Sequence, residues 1–134
     1  MTISESLIQW LKQFNTDVTI NNIDIDRLQA SGGSYGLYKM PSRNTVDFIN
    51  GNQERTDFFQ FQAKISNITD NNRKNAQKFF SDLEEWIYQK NLSEDLPQLT
   101  NYTCIEVTLS DTFYMSEALQ KESKYIFGIS IRYQ

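Results

Sequence analysis

The sequence predicts an α+β domain in which one long amphipathic helix, with a short N-terminal helix beside it, packs on one face of an antiparallel or mixed β-sheet. Apolar residues recur at helical spacing in two segments and alternate with polar residues in three others. The segments follow the order helix, strands, helix, strands, which is typical of α+β folds. The chain has 134 residues, of which 39% are hydrophobic, and no Pro/Gly/Ser-rich linker divides it. We therefore expect a single domain over residues 1–134.

The first helix is predicted from about Ser4 to Phe14. Its apolar residues recur at helical spacing, and they are Leu7, Ile8, Leu11 and Phe14, with Trp10 beside them. Thr2, followed three positions later by Glu5, resembles a capping box just ahead of the helix. In residues 15–29, asparagine and aspartate interrupt short apolar alternations. This stretch is either a weak strand or an irregular connection.

The middle of the chain is rich in turn signals. SGGS at residues 31–34 is the clearest turn cluster, and it lacks the lysine and the strand-to-helix setting of a phosphate-binding loop. A short strand is predicted over Tyr35–Met40, where Pro41 bounds it. The chain can extend again over Arg43–Ile49 before Asn-Gly-Asn at residues 50–52 marks another turn.

Three alternating runs predict further strands. TDFFQFQAKIS at residues 56–66 is typical of a half-buried antiparallel strand, because its apolar and polar residues alternate. YTCIEVTLS at residues 102–110 places Ile105, Val107 and Leu109 on one face. SKYIFGISIRYQ at residues 123–134 places five large side chains on one face, namely Tyr125, Phe127, Ile129, Ile131 and Tyr133. We expect this last strand to pair inside the sheet or to cover a partner.

The strongest helix signal spans about Asn71–Gln89, with Asp70 as its predicted N-cap. Its apolar stripe is broad enough to face a sheet, and it contains Ala76, Phe79, Phe80, Leu83, Trp86 and Ile87. Helix and strands together predict a core of eight mutually buried side chains: Phe61, Ile65, Phe79, Leu83, Trp86, Val107, Ile129 and Ile131.

Composition and charge argue against several classes of function. The 13 basic and 17 acidic residues give a net charge of -4, which repels a phosphate backbone, so we expect no specific nucleic-acid binding. The segment MTISESLIQWLKQF has neither a basic leader nor a long apolar run, so we expect no signal peptide, no membrane span and synthesis in a cytoplasm. The single cysteine, Cys104, fits a reducing compartment.

The residue types that most often carry catalysis are scarce. The chain has no histidine, which is the commonest general base and metal ligand. Cys104 falls inside a predicted strand, where a buried and unreactive thiol is expected. We therefore expect no catalytic residue, no metal site and no cofactor, and hence no enzyme.

Two other groups of residues have a structural and a functional interpretation. The acidic pairs Asp24/Asp26 and Glu84/Glu85 could bind a hard cation, but charges of this kind usually face solvent, and solvated surface is the expectation for both. Each tryptophan lies in the apolar stripe of a helix, so we expect both to anchor the core rather than to stack on a ligand.

Six segments taken in order carry a resemblance to a known family. They are LIQWL, SGGSYGLYKMPS, FQFQAKI, NNRKNAQKFFSDLEEWIYQKN, LPQL and YIFGISIRYQ. Their order, the asparagine and arginine before the helix, the LEEWI stretch and the final aromatic strand resemble the minor capsid or tail-terminator proteins of long-tailed (siphovirus-type) bacteriophages and prophages. The resemblance covers nearly the whole chain.

The resemblance implies a structural role. Such proteins are similar to small α+β subunits that close into a ring, usually of six copies, on the completed tail tube, where the ring stops tail growth and offers a docking face to the head. The implied partners are further copies of the chain, the tail tube protein and a head-completion or connector protein, without a membrane. The implied location is the head-tail joint of the virion, after synthesis in the cytoplasm of the bacterial host.

Two other functions stay open. Small acidic α+β domains also neutralise basic enzymes such as nuclease toxins, and a net charge of -4 suits that inhibitory role. An inhibitor is expected to be a monomer that binds its toxin one to one, whereas a terminator forms rings or assembles on tail tubes. An enzyme that uses carboxylates or tyrosine is the third alternative, and it requires a cleft with perturbed acids.

The interface between subunits is predicted in the turn-rich segment of residues 27–57. Two tyrosines expected to be exposed and a mixed-sign set of charges lie there outside the apolar stripes: Arg27, Tyr35, Tyr38, Lys39, Arg43, Asp47, Glu54, Arg55 and Asp57. Contacts concentrate on such loops, and a mixed-sign set can pair with itself around a head-to-tail ring. The other interpretation is a solvated loop without a partner. On the interface hypothesis, reversing Arg43 and Arg55 to glutamate breaks the ring and leaves the fold intact.

Overall fold

Two helices and five strands make up the fold in this computed structural model, which describes residues 1–14, 23–26, 34–66, 70–118 and 122–134. In chain order the elements are α1 (Ile3–Leu11), β1 (Ile23–Ile25), β2 (Ser34–Asp47), β3 (Gln53–Ser66), α2 (Asp70–Leu92), β4 (Cys104–Ala118) and β5 (Glu122–Tyr133). No helix within these ranges is long and apolar enough to cross a membrane.

The five strands form one sheet in the order β1-β2-β3-β5-β4. β1 is parallel to β2, and the three other neighbouring pairs are antiparallel. The sheet is therefore mixed, and the predicted α+β class is confirmed. The last strand lies inside the sheet between β3 and β4, which explains why apolar and aromatic residues fill β5.

The core lies between α2 and one face of the sheet. Alternate residues of β3 and β5 face the helix, and the Phe61 and Phe127 rings lie 5.0 Å apart across these two strands. Phe80 of α2 packs 6.0 Å from Phe127. Six of the eight predicted core residues are buried, while Ile65 and Trp86 are partly buried against the same cluster.

α1 begins as predicted and ends one turn earlier. Thr2 is its N-cap, and the Thr2 hydroxyl accepts a hydrogen bond from the backbone N–H of Glu5 at 3.1 Å. Trp10 packs 4.8 Å from Trp86, and its indole N–H donates to the carbonyl oxygen of Asp95 at 2.8 Å. Both tryptophans therefore anchor α1 to α2, as expected.

α2 is held to β4 by two polar side chains that lie two turns apart on the helix. The Asn91 side-chain oxygen accepts from the backbone N–H of Val107 at 2.8 Å. A Glu84 carboxylate oxygen accepts from the Thr112 hydroxyl at 2.9 Å and from the backbone N–H of Phe113 at 2.8 Å. The expectation that Glu84 is simply solvated is therefore wrong, because Glu84 is half-buried and binds two residues of β4. Glu85 is exposed, as expected.

β4 is longer and less regular than the alternation predicts. It runs 15 residues, and its pairing with β5 shifts register at four places. The first shift lies between Cys104 and Glu106, so Ile105 occupies a bulge and Cys104 packs against the core in its place. Each such shift resets which residues face the helix, which is why the period-two pattern fades after Leu109.

β2 and β3 form a hairpin of two 14-residue strands where a turn-rich segment was predicted. β2 does not end at Pro41, because the pairing with β3 shifts register between Lys39 and Arg43 and β1 pairs with β2 only as far as Leu37. The missing N–H of Pro41 therefore breaks no ladder bond. The predicted turn at residues 50–52 is present, and Gly51 has the positive φ of 89° that favours glycine.

Candidate protein interface

The end of the β2–β3 hairpin carries apolar side chains that the described part of the chain leaves exposed. We call residues 46–52 the hairpin tip. Within it, Ile49 is fully exposed, and Val46 and Phe48 are 51% and 41% exposed. Isolated exposed apolar residues are common on protein surfaces, but three within one short turn form a patch of the kind that marks contact sites.

The ladder that supports the tip is well defined. β2 and β3 stay paired to Asp47 and Gln53, and the Gln53 side-chain amide donates to the Asp47 carboxylate at 2.8 Å. The backbone N–H of Phe48 donates to the carbonyl oxygen of Asn52 at 2.8 Å and closes the turn. Among the described residues, the β3–β5 pairing ends at Arg55, so the tip extends past the last strand beside it.

Arg43 and Asp57 bind each other within the chain. The Arg43 Nε lies 2.6 Å from Asp57 Oδ1 and its Nη2 lies 3.0 Å from Oδ2, while the Tyr133 hydroxyl donates to Oδ2 at 3.0 Å. Asp57 is only 1% exposed, so this bidentate pair satisfies a buried carboxylate. The hydrogen bond to Asp57 raises the pKa of Arg43, and burial raises the pKa of Tyr133.

This pair corrects one sequence expectation. Reversing Arg43 to glutamate would place a second carboxylate beside the buried Asp57, so that variant would not leave the fold intact. Asp57 itself lies on the apolar face of β3, two residues from Phe59, and not in an exposed loop. The sequence offers no signal for the pair, because the cross-strand register that brings Arg43 opposite Asp57 is set by the distant turn.

Other predicted interface residues also have partners or positions within the chain. Tyr35 is a core residue, with its ring 5.9 Å from Phe61, so its predicted exposure is wrong. It lies on the alternate positions of β2 that face the helix side. Glu54 lies 3.4 Å from Arg132, which also lies 3.4 Å from Glu106, and all three side chains lie on the sheet face away from α2.

Three further positions of the set remain. Lys39 is exposed and Tyr38 is half-buried. Arg27 lies outside the described residues. The structure therefore gathers part of the predicted set around one hairpin, but it leaves the hairpin tip, rather than the charged pairs, as its most available surface.

Arg55 lies in an open cleft of about 450 Å³ beside the tip. Its guanidinium lies 6.0 Å from the Tyr102 ring, and its Nε donates to the Gln53 side-chain oxygen at 2.7 Å. The cleft is lined by Gly51, Asn52, Gln53, Arg55, Asn101, Tyr102, Thr103 and Gln134. Among the side chains that line it, the guanidinium is the one permanent cation, and the others are neutral.

A second surface feature was not predicted from the sequence. We call the sheet face opposite α2 the back face, and it contains a groove of about 340 Å³, the back-face groove. The groove is lined by Met40, Ser42, Phe58, Phe59, Gln60, Ser110, Asp111 and Gly128. At Gly128 a Cβ would lie 2.2 Å from the Ser110 hydroxyl oxygen. A glycine amid the large residues of β5 was the signal for a close approach.

The thiol of Cys104 is partly buried against the core. Burial raises the pKa of Cys104 to about 12, so the thiol stays protonated near neutral pH. Among the side chains that the structure describes, no three histidine, cysteine, aspartate or glutamate residues group closely enough to hold a metal ion.

No protein-family model matches this chain, and no curated protein matches it significantly.

Proposed function

We propose that this chain is a structural subunit of a long-tailed bacteriophage or prophage. On this proposal, copies of the chain, six in the usual case, form a ring that caps the tail tube, ends its growth and provides the surface to which the head is joined. The ring contacts the tail tube protein on one side and a head-completion or connector protein on the other. It lies at the head-tail joint of the virion.

The observation that carries the proposal is the exposed apolar tip on a rigid hairpin. Three apolar side chains at the end of a paired hairpin lie outside the core that the described residues form, so a contact with another molecule accounts for them best. The order of the sequence segments supplies the particular family, and the α+β fold is compatible with it. A net charge of -4 suits a ring through which DNA passes without binding.

The proposal is tested by deleting the gene from the phage or prophage that carries it. Electron microscopy should then show tail tubes of uncontrolled length and heads without tails, and expression of the chain in trans should restore both. Tails of normal length joined to heads in the deletion strain would contradict the proposal. A stable one-to-one complex with a basic enzyme would instead favour the inhibitor alternative.

A further inference from the structure

We infer that the cleft around Arg55 binds a carboxylate group. We call this cleft of about 450 Å³ the Arg55 cleft, and it combines one guanidinium with neutral amides, hydroxyls and the Tyr102 ring. The carboxylate belongs either to a small organic acid or to an acidic side chain of a peptide, because both present the same two oxygens. Such a site does not depend on the proposed ring, since binding is measured on the chain alone.

Arg55 lacks an acidic partner among the side chains that the structure describes. Arg43 is bound to Asp57, and Arg132 lies 3.4 Å from Glu54. The two acidic residues that flank Arg55 along β3 are therefore already paired with other cations. Arg55 itself is half-buried, and a guanidinium that loses part of its water is stabilised by an anion. The unmatched charge indicates an anionic ligand from outside the described residues.

Three neighbouring side chains hold the guanidinium in place, and all three are neutral. The Nε of Arg55 donates to the Gln53 side-chain oxygen at 2.7 Å, and the guanidinium lies 6.0 Å from the Tyr102 ring. Burial raises the pKa of Tyr133, and a hydrogen bond from Arg55 opposes that rise. With Nε occupied, donors on the terminal nitrogens Nη1 and Nη2 remain for a ligand.

Gln53 lies between Arg55 and the carboxylate of Asp47. Its amide nitrogen donates to the Asp47 carboxylate at 2.8 Å, while its amide oxygen accepts from the Arg55 Nε. The carboxylate of the hairpin is thus bonded to the amide and not to the guanidinium. The positive charge of Arg55 stays available to an external anion.

The chemistry of the cleft favours a carboxylate over a phosphate. A carboxylate carries one negative charge on two coplanar oxygens, which match two parallel N–H groups of a guanidinium. A phosphate dianion would add excess negative charge close to Asp47, in a chain whose net charge is already -4. The side-chain amides of Asn52 and Asn101 line the cleft and form no hydrogen bond with the described residues, so they can donate to the same ligand.

A chemical-shift titration of the isotope-labelled full chain tests the site. Sodium acetate replaces sodium chloride at constant ionic strength near neutral pH. We expect saturable shifts of the Arg55 Nε–H signal and of the backbone N–H signals of Tyr102 and Thr103. The dissociation constant should be on the order of 10 mM, because exposed ion pairs are weak and salt screens them. Shifts that stay linear, or that saturate only outside the cleft, would overturn the inference.

Three variants show whether the charge of Arg55 carries the binding. Arg55→Met keeps an apolar side chain of similar length and should abolish the saturable shifts at Tyr102. Lys39→Met removes an exposed cation from the same hairpin and is the matched control, which should bind like wild type. Asp47→Asn keeps an oxygen for Gln53 but removes a negative charge, so it should tighten binding by roughly twofold.

The Asp47→Asn result tests the site even if Arg55→Met does not fold. An unchanged or weaker affinity in Asp47→Asn would contradict an anion site, because a purely structural arginine would not respond to that charge in this direction. Equal losses in Arg55→Met and Lys39→Met would show that acetate responds to net charge and not to the cleft.

Two further probes separate the sources of the carboxylate. A short peptide with one glutamate between leucines is compared with acetate and with the same peptide carrying glutamine. Binding of the glutamate peptide at least about tenfold tighter than acetate assigns the site to a protein segment, and equal affinities assign it to a small acid. Equal binding of the glutamine peptide, or tighter binding of inorganic phosphate than of acetate, would overturn the assignment to a carboxylate.

Discussion

β5 and the outer half of β2 belong to one sheet, yet different interactions hold them in place. β5 lies between two strands, and its residues on the helix side are buried from Tyr125 to Tyr133. In β2, burial ends at Leu37, and every residue from Lys39 to Asp47 is exposed. Apolar burial stabilises the first region, whereas backbone pairing and a few polar contacts hold the second.

The two regions therefore differ in what they contribute, since β5 stabilises the fold and the hairpin leaves side chains available for contact. A strand that keeps its geometry without being covered can present side chains to a partner at no cost to the core. The hairpin does this, because the Arg43–Asp57 pair and the Asp47–Gln53 hydrogen bond hold it while Phe48 stays exposed. The covered region should therefore be sensitive to substitution through stability, and the hairpin tip through association.

The largest loss of stability is expected in the covered region. Phe127→Ala removes a ring that lies 5.0 Å from Phe61 and is 1% exposed, and the cavity left behind should lower the free energy of unfolding by about 3–5 kcal/mol. Urea unfolding followed by circular dichroism measures this loss. Tyr114→Ala is the control, because that side chain is 52% exposed and its loss should change stability by less than about 0.5 kcal/mol. Equal losses would show that β5 is not the centre of the core.

A smaller loss of stability is expected at the Arg43–Asp57 pair, where the hairpin meets the core. Arg43→Met removes the charged partner of the buried Asp57 and should cost about 1.5–3 kcal/mol, because a carboxylate with 1% exposure keeps only the Tyr133 hydroxyl of its two side-chain donors. Lys39→Met, an exposed change on the same strand, is the control in the same urea titration. Matching midpoints for the two variants would mean that the pair does not stabilise the hairpin.

The hydrogen bonds that join Glu84 of α2 to β4 should contribute still less to the free energy of unfolding. Glu84→Ala removes two hydrogen bonds, to Thr112 and Phe113, and should lower the free energy of unfolding by about 1–2 kcal/mol. Glu85→Ala on the adjacent exposed position should be nearly neutral. Amide hydrogen exchange would localise the effect, since Phe113 should exchange faster in Glu84→Ala alone. An unchanged exchange rate at Phe113 would show that Glu84 does not hold β4 to α2.

The sequence predicts the covered region well because the apolar residues keep a single spacing along each of its elements. Alternation along β3 and β5 identified Phe61, Ile129 and Ile131 as core residues, and all three are buried. The stripe of α2 was also predicted, since a helix that packs on a sheet needs a wide apolar face. β3 and β5 also pair with each other without a register shift along their shared length.

The hairpin and β4 were predicted less well, and the reasons are physical. Pro41 normally ends a strand, but it is tolerated on an outer edge that no described strand pairs with at that point. Bulges in β4 shift the period, so its later residues lose the alternation that a half-buried strand shows. The back-face groove depends on Ser110 meeting Gly128 across two strands, and such a contact follows from register rather than from local pattern.

The partly buried thiol of Cys104, on β4 beside β5, should make stability depend on pH in the alkaline range. Burial raises the pKa of Cys104 from 9.0 to about 12, so between these values the unfolded chain releases the proton while the folded chain retains it. The contribution of the Cys104 thiol to the free energy of unfolding is therefore fully present below pH 9.0 and is lost as the pH rises toward about 12. Cys104→Ala should show a shallower fall in unfolding free energy over this range and no matching change near pH 7. Parallel curves for both proteins would refute the burial of the thiol.

The smallest effect on stability is expected at the hairpin tip, where the effect on association should be greatest. Ile49 is fully exposed, so Ile49→Asp should change the free energy of unfolding by less than about 0.5 kcal/mol. Gln77→Asp, on the exposed side of α2, should be equally neutral. Sedimentation at high concentration or on tail tubes should then separate the two, because on the proposed function only the tip variant loses an apolar group that a partner would bury. If Ile49→Asp instead unfolds as readily as Glu84→Ala, the tip packs within its own chain, and the division between a covered region for stability and an uncovered one for contact fails.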